Sequence, residues 1–231
     1  MKIGHQGTHL IAAAIFDFDE TIIDLEPQHT AAHEALCRAM VSDYARMPES
    51  FRTGSGRRII DDIRDMRAFF GWTKNEDELM SMRQRDFDEA CRTSSLELMP
   101  GAAKTIRDLH GLGIPLAIAS SAVGSSIEIL LRRFGLRDCF DLIVDGSEVE
   151  QGKPDPAAYL LTAEKLGVDV RDCVVFEDSH VGVIAAKQAG AFCVAVRNRR
   201  AQVHQDLGAA DLVLESFEAL DVRTVFAPNG R

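Results

Sequence analysis

Short apolar runs alternate with helix-like segments through most of the 231-residue chain. The apolar runs are Ile11–Phe16, Ile114–Ala119, Leu142–Val144, Cys173–Phe176, Phe192–Val196 and Leu212–Leu214. Short apolar runs of this kind are typical of buried strands. We expect helices between most of them, each followed by a glycine, at Ala102–His110, Ser125–Phe134, Pro156–Leu166 and Val181–Ala189. This alternation predicts a parallel sheet, whose ligand would lie beyond the C-terminal ends of the strands.

One stretch, from Glu26 to Cys91, interrupts the alternation. It is polar, has a helical pattern and contains no convincing strand. We expect helices at Pro27–Arg46, Arg58–Phe70 and Glu76–Arg92, with hinges at Glu20–Leu25 and Thr93–Pro100. The predicted fold class is therefore α/β, a Rossmann-like parallel-sheet core with a small inserted α-helical domain. The predicted boundaries are residues 1–22 and 97–231 for the core and 23–96 for the helical insert, which we call the cap.

The composition is that of an ordinary globular protein, and it excludes some partners. A formal net charge of -10 and a pI near 5.2 argue against a nucleic acid or an anionic membrane, which bind clustered Lys and Arg. Five widely spaced cysteines without metal-binding spacing indicate reduced thiols in a cytoplasmic protein. The first apolar run is too short to span a bilayer, so no secretory signal is expected, and Met1–His9 is predicted to be a loose leader.

Polar residues follow four of the predicted strands. In chain order they are Asp17 and Asp19, Ser120, Lys153 in a proline-containing loop, and Glu177 with Asp178. Taken singly, each has an ordinary interpretation as a polar turn, a helix cap or an exposed lysine. If the four strand ends converge, however, they bring together several carboxylates, one lysine and a hydroxyl. That composition is expected for oxygen-ligated magnesium together with a phosphate.

Four motifs at these positions resemble, in order, those of the haloacid dehalogenase (HAD) superfamily. They are DFDET at Asp17–Thr21, Ser120 after a strand, GKPDP around Lys153 and FEDS around Asp178. The match spans essentially the whole chain, and QGKPDPAAYLLTAEKLGV and VVFEDSHVGVIAAKQAGA are its most specific parts. The cap, directly after the first motif, looks like the helical C1 cap of subfamily I. The chain is therefore identified as a member of this superfamily, similar to β-phosphoglucomutases and phosphoglycolate phosphatases.

The resemblance implies roles for the motif residues. Asp17 would be the nucleophile that attacks phosphorus, and Asp19 the acid/base that protonates the leaving oxygen and later activates water. Thr21, Ser120 and Lys153 would position the transferred phosphoryl group. Catalysis of this kind depends largely on positioning and on charge stabilisation.

The resemblance also implies a magnesium cofactor. Mg²⁺ would be held by the Asp17 carboxylate, the Asp19 backbone carbonyl and Asp178, with Glu177 nearby. Without the metal and Lys153, a dianionic phosphate would be strongly repelled by these carboxylates.

The presence of Asp19 narrows the expected chemistry. Similar dehalogenases and phosphonate hydrolases lack an Asp at this position, and cleavage of a phosphate ester requires protonation of an alkoxide leaving group. We therefore expect a magnesium-dependent phosphatase of a small phosphorylated metabolite, such as a sugar phosphate. The alternative is a phosphomutase, and a third possibility is a non-catalytic HAD-like binding protein. The expected partner is a small-molecule phosphate ester, and the expected state is a monomer or weak homodimer.

Two cap residues, His29 and Arg57, align approximately with positions that touch substrate in the similar β-phosphoglucomutases. Arg57 could bind a second phosphate, although both residues are equally consistent with a solvated surface. Leu25 replaces a polar residue common in those mutases, which favours the phosphatase. Glu20 stands where relatives usually carry glycine, so a positive φ would be strained there, and we expect its side chain to point to solvent.

Overall fold

A six-stranded parallel sheet forms the centre of the structure, a computed structural model that describes residues 11–48, 56–198 and 205–222. The predicted leader Met1–His9 lies outside the described residues. The strands are β1 Ala13–Phe16, β2 Leu116–Ala119, β3 Leu142–Val144, β4 Cys173–Glu177, β5 Phe192–Val196 and β6 Leu212–Leu214. Their order across the sheet is β3-β2-β1-β4-β5-β6. The predicted α/β, Rossmann-like fold is confirmed.

Seven α-helices accompany the sheet in the described residues. They are α1 Glu26–Ala39, α2 Ile59–Phe70, α3 Glu76–Thr93, α4 Ala102–Gly111, α5 Gly124–Arg133, α6 Ala157–Leu166 and α7 His180–Ala189. Successive side chains of a strand point to opposite faces of the sheet. Phe16 accordingly packs in the cluster on one face, with Ile106 of α4, whereas Ile15 packs on the other, with Val183 of α7. The sheet is therefore buried on both faces.

The helices α1 to α3 form the cap and share an apolar core of their own. It contains Leu36, Ile63, Met66, Trp72 and Leu79. The predicted helix Pro27–Arg46 is wrong at its C-terminal end, because α1 ends at Ala39. Val41 has a φ of 54°, which a right-handed helix cannot accommodate, and a short 3-10 turn follows at Tyr44–Arg46.

The two chain connections between sheet and cap run side by side. The Asp24 backbone N–H donates to the Glu97 carbonyl at 3.1 Å, and the Met99 N–H donates to the Ile22 carbonyl at 2.9 Å. Ile23 and Leu98 form an antiparallel bridge between these two hydrogen bonds. Both connections thus leave the core beside the C-terminal end of β1, while the exact domain boundaries stay a prediction.

All five cysteines are free thiols, and four of them are buried.

Within the described ranges, none of the helices combines the length and the apolar character needed to cross a membrane.

Candidate active site

The predicted strand ends do converge, because the strands that carry them are in register. Phe16 of β1 lies opposite Ile118 of β2 and Phe176 of β4. One residue further along, the Asp17 N–H donates to the Phe176 carbonyl at 2.9 Å. Ser120, directly after β2, is likewise buried, with its N–H on the Val144 carbonyl at 3.0 Å. The first residues after these strands therefore occupy one edge of the sheet.

Lys153 reaches this edge from the loop between β3 and α6, residues 145–156, which we call the lysine loop. Its Nζ donates to Asp17 Oδ1 at 2.5 Å, to Glu177 Oε1 at 2.6 Å and to the Ala119 carbonyl at 3.4 Å. Burial lowers the pKa of Lys153, but the Asp17 and Glu177 carboxylates outweigh burial and raise it above its usual value. Lys153 is thus a buried cation rather than an exposed turn lysine.

Glu177 organises the site through both of its carboxylate oxygens. Oε1 accepts from Lys153 and from the Tyr159 hydroxyl at 2.7 Å, while Oε2 accepts from the backbone N–H groups of Asp178 and Ser179. Burial alone would raise its pKa, yet Lys153 and these hydrogen bonds hold the pKa below its usual range. A Cβ at Gly182 would lie 1.7 Å from Oε1, so the first turn of α7 can approach Glu177 this closely only with glycine.

The residues present fit a divalent cation. Asp17, Glu177 and Asp178 are buried, and each offers a carboxylate oxygen within 4.8 Å of the others. Burial raises the pKa of Asp17 to about 8, although Lys153 acts to lower it. Burial, together with the neighbouring Glu177 and Asp17 carboxylates, raises the pKa of Asp178 well above its usual value. Oxygen ligands and an excess of negative charge suit Mg²⁺. Each oxygen of Glu177 already accepts at least two hydrogen bonds, so the atoms best placed to hold the ion belong to Asp17 and Asp178.

Two predicted phosphate ligands have defined partners in this structure. The Thr21 hydroxyl donates to Asp178 Oδ1 at 3.1 Å, so it orients that carboxylate. Ser120 Oγ accepts from the Ala122 N–H at 3.1 Å, which leaves its own O–H available to donate. Ser120 therefore has the clearer capacity to contact phosphate, and the phosphate-binding roles of both residues stay predictions.

Asp19 faces the cap, where it meets His29 of α1. The distance between Asp19 Oδ2 and His29 Nε2 is 2.9 Å, and the Arg83 guanidinium of α3 donates to His29 Nδ1. Because the Arg83 guanidinium can only donate, His29 Nδ1 accepts, and the ring proton lies on Nε2, directed at Asp19. Burial also lowers the pKa of His29, which favours this neutral form. The other Asp19 oxygen, Oδ1, is buried and has no hydrogen-bond partner among the described residues. It is the oxygen of Asp19 that is left to interact with a ligand, and the acid/base role of Asp19 stays a prediction.

Sequence reasoning missed Arg83, although the chain carries a signal for it. Leu79, Arg83 and Phe87 are spaced four residues apart and form the buried stripe of α3. An arginine in the middle of an apolar stripe costs free energy unless it has a dedicated partner. Its guanidinium lies 4.8 Å from the Phe87 ring centroid, and burial lowers its pKa to about 10.

Arg57, the other predicted substrate ligand in the cap, is ion-paired. Its Nη2 lies 2.6 Å from Asp65 Oδ2, and its Nε lies 3.3 Å from Asp62 Oδ1. Burial would lower its pKa, but these carboxylates raise it above the usual value. Arg57 is therefore a cation whose charge the cap itself balances.

The expectation that Glu20 points to solvent is wrong. Its side chain is buried and accepts hydrogen bonds from the Leu25 N–H at 3.0 Å and from Asn198 Nδ2 at 2.6 Å. The residue has a φ of 62°, a left-handed conformation that is strained without glycine. Burial raises its pKa to about 8. Glu20 joins the first hinge to the segment after β5, a contact between positions too far apart in sequence to be foreseen.

Comparisons with known proteins agree with the fold and identify the family. The family model for haloacid dehalogenase-like hydrolases matches residues 11–190. The chain is 34% identical to a phosphorylated carbohydrates phosphatase of Thermotoga maritima over 192 residues, covering 77% of this chain and 81% of that protein. It is 30% identical to the β-phosphoglucomutase of Bacillus subtilis over 214 residues, covering 88% of this chain and 92% of that protein.

A solved structure is also similar. CbbY of Rhodobacter sphaeroides in complex with phosphate superimposes with a TM-score of 0.77 at 28% identity, covering 91% of this chain and 96% of that one. The sheet with its inserted helices, the four convergent motifs and the match over residues 11–190 lead to one conclusion: the chain belongs to the haloacid dehalogenase-like hydrolase family.

Proposed function

We propose that the protein is a phosphatase that hydrolyses the phosphate monoesters of small metabolites through an aspartyl-phosphate on Asp17, with Mg²⁺ as cofactor. The observation that carries this proposal is the buried group of Asp17, Asp178 and Lys153 at the strand ends. The similarity to a phosphatase of phosphorylated carbohydrates supports a sugar or polyol phosphate as substrate. A cytoplasmic location and a monomer or weak homodimer are part of the proposal, and the five free thiols support the location.

In the proposed mechanism Asp17 and Asp19 have separate tasks, which their contacts support. Lys153 holds Asp17 Oδ1, which leaves Oδ2 to form a bond to phosphorus while the bond to the leaving oxygen breaks. Asp19 gives that oxygen its proton, because Oδ1 of Asp19 is available and His29 fixes Oδ2. In the second step Asp19 takes a proton from water, which attacks phosphorus and releases Asp17.

Asp17 and Asp178, with the Asp19 backbone carbonyl, would hold Mg²⁺. When bound, the ion would supply positive charge that offsets the repulsion between a dianionic phosphate and these carboxylates. Thr21 orients Asp178 for this task. In this proposal Ser120 and Lys153 hold the oxygens of the transferred group, which the available Ser120 O–H and the nearness of Lys153 to Asp17 support.

The state of Arg57 favours a phosphatase over a phosphomutase. A mutase has to hold a second phosphate in the cap, and Arg57 is the cation predicted for that task. Asp62 and Asp65 already balance its charge, so a second phosphate would gain little net attraction from it. A neutral sugar or polyol can still accept hydrogen bonds from the guanidinium. The observed pairing therefore suits a substrate with one phosphate.

The first test is phosphate release from a panel of sugar and polyol phosphates with Mg²⁺ and then with excess chelator. We expect turnover with the metal, loss of turnover in chelator and recovery on adding Mg²⁺ back, because Asp17 and Asp178 would otherwise repel the substrate. Intrinsic fluorescence in both conditions checks that the fold persists. Full turnover in excess chelator would contradict the metal assignment.

A second measurement separates the phosphatase from the mutase. The protein is incubated with a hexose 1-phosphate, with and without the corresponding hexose bisphosphate, and the products are resolved. We expect free phosphate and free hexose in both cases. Conversion to the 6-phosphate, stimulated by the bisphosphate and with little phosphate released, would establish the mutase instead.

The role of Arg57 in substrate choice is tested by Arg57→Ala. We expect KM for the best ester of the panel to rise about 3- to 10-fold, the value of one lost hydrogen bond, with less change for p-nitrophenyl phosphate. Arg64→Ala is the matched control, since Arg64 also pairs with acidic residues of the cap but is exposed. Unchanged kinetics of Arg57→Ala with every ester would make Arg57 a surface residue.

A further inference from the structure

We propose that Arg58, at the start of α2, is a positioning residue that fastens the cap to the lysine loop and so holds Lys153 in place for catalysis. This inference rests on the phosphatase function proposed above. The proposed role of Arg58 differs from that of Arg57. Arg58 contacts the core, so its loss should affect the reaction of every substrate.

The contacts of Arg58 join the cap to the lysine loop of the core. Its Nη1 donates to the carbonyls of Val149 and Glu150, at 3.0 and 2.9 Å. Its Nε and Nη2 donate to the two oxygens of Asp61, at 2.8 and 3.0 Å. The side chain is only 11% exposed. Asp61 thus fixes the plane of the guanidinium, and the charged donors left over point at the lysine loop.

The lysine loop is shaped to receive this side chain. A Cβ on Gly152 would lie 2.8 Å from Arg58 Cγ and 3.0 Å from its Cδ and Nε. Only glycine lets the backbone approach the Arg58 stem so closely. Lys153 is the next residue, and its Nζ lies 2.5 Å from Asp17 Oδ1. The position of Arg58 is therefore transmitted over one peptide unit to the lysine that contacts the nucleophile.

A second contact strengthens the attachment of the same cap segment. The Ser121 hydroxyl, in the loop after β2, donates to the Gly56 carbonyl at 2.8 Å. A Cβ on Gly56 would come within 2.6 Å of Ser179 Oγ, at the start of α7. Residues 56–58 thus touch loops that follow three strands of the sheet. Among these contacts between residues 56–58 and the loops of the core, those of Arg58 involve a charged side chain. The Arg58 side chain reaches the loop that carries Lys153.

Loss of Arg58 should loosen the lysine loop and displace Lys153, which would lower the rate of catalysis. Lys153 neutralises charge at Asp17 where the phosphoryl group arrives, and displacement of a catalytic group by about 1 Å can cost 10²-fold in rate. Arg58 contacts Asp61 and two backbone carbonyls rather than the reacting atoms. Its loss should therefore lower kcat/KM for large and small esters alike, with most of the change in kcat.

The test compares both sides of the contact. Arg58→Ala removes the guanidinium, and Gly152→Ala leaves it in place but fills the space its stem occupies. We expect each variant to lower kcat/KM about 10- to 100-fold for the best ester and for p-nitrophenyl phosphate, and the double variant to be no worse than the poorer single one. Arg64→Ala is the control, because Arg64 also pairs with Asp61 at 3.2 Å but is exposed.

The outcomes separate this inference from the proposed function. If the wild-type protein releases no phosphate from any ester, the proposed function fails. If the wild type is active and Arg58→Ala stays within about twofold of it, or if the effects of the two single variants multiply in the double, Arg58 has no positioning role.

A second variant covers the case in which Arg58→Ala does not fold. Asp61→Asn keeps the Arg58 guanidinium but weakens the ion pair that orients it. We expect an intermediate loss of kcat with both esters and a melting temperature close to that of Arg64→Ala. Wild-type kcat in a folded Asp61→Asn variant would also overturn the proposal.

Discussion

Asp17→Asn is expected to abolish turnover, with kcat reduced about 10⁴- to 10⁶-fold, the scale seen when a covalent nucleophile is removed. An amide is a poor nucleophile and cannot form the aspartyl-phosphate. The change is nearly isosteric, so the buried contact with Lys153 keeps its shape. Phosphate release and labelling of the protein by a radioactive phosphate ester measure the two consequences. Wild-type-like turnover would overturn the nucleophile assignment.

Asp19→Asn is the matched control, because it changes a neighbouring carboxylate to the same amide. It should retain the nucleophile and lose the acid/base. We therefore expect it to react with acetyl phosphate, whose leaving group needs no proton, and to accumulate labelled protein because water is no longer activated. Accumulation in Asp19→Asn, together with no labelling in Asp17→Asn, assigns the two roles separately. The reverse pattern would exchange them.

Lys153→Met is expected to have the second-largest effect, on activity and on stability together. Lys153 is 1% exposed and is the cation between Asp17 and Glu177. Removal of one partner from a buried ionic group costs about 3–5 kcal/mol, because uncompensated charge stays behind. We also expect kcat/KM to fall about 10²- to 10³-fold for every ester, the value of one preorganised electrostatic contact. Urea unfolding and ester kinetics measure the two effects.

Lys165→Met provides the control for stability. Lys165 also pairs with a glutamate, Glu148, but both side chains are about one-third exposed. Exposed pairs contribute about 0–1 kcal/mol, so this variant should unfold at nearly the wild-type urea concentration. If Lys153→Met is as stable as Lys165→Met and as active as the wild type, the central role given to Lys153 is wrong.

Much of the core and its motifs could be predicted from the sequence because the signals are local. The run Cys173–Phe176 is short, apolar and followed by an acidic pair, and the observed strand ends one residue beyond it, at Glu177. Asp17 and Asp178 each come directly after a strand, so parallel pairing alone brings them to one edge. Chain order and strand ends thus contain most of the information for this part of the site.

The cap was predicted less completely because its contacts depend on tertiary packing. The end of α1 at Ala39 follows from the left-handed conformation of Val41, which no pattern of apolar residues indicates. Arg83 was missed since its role depends on His29, which lies 54 positions earlier in the chain.

By itself, the sequence determined the α/β class, the order of the strands along the chain, the helical insert and the positions of the carboxylates at the strand ends. Those features are encoded in periodicity and in motifs of a few residues. Only the tertiary structure decided that Glu20 is buried, that Glu177 uses both oxygens and that Arg58 reaches the lysine loop. Each of these depends on which partner completes a buried hydrogen bond or ion pair. For Glu20 and Arg58 the partner is distant in sequence, and for Glu177 the number of donors that converge on one carboxylate is settled only when the strands pack.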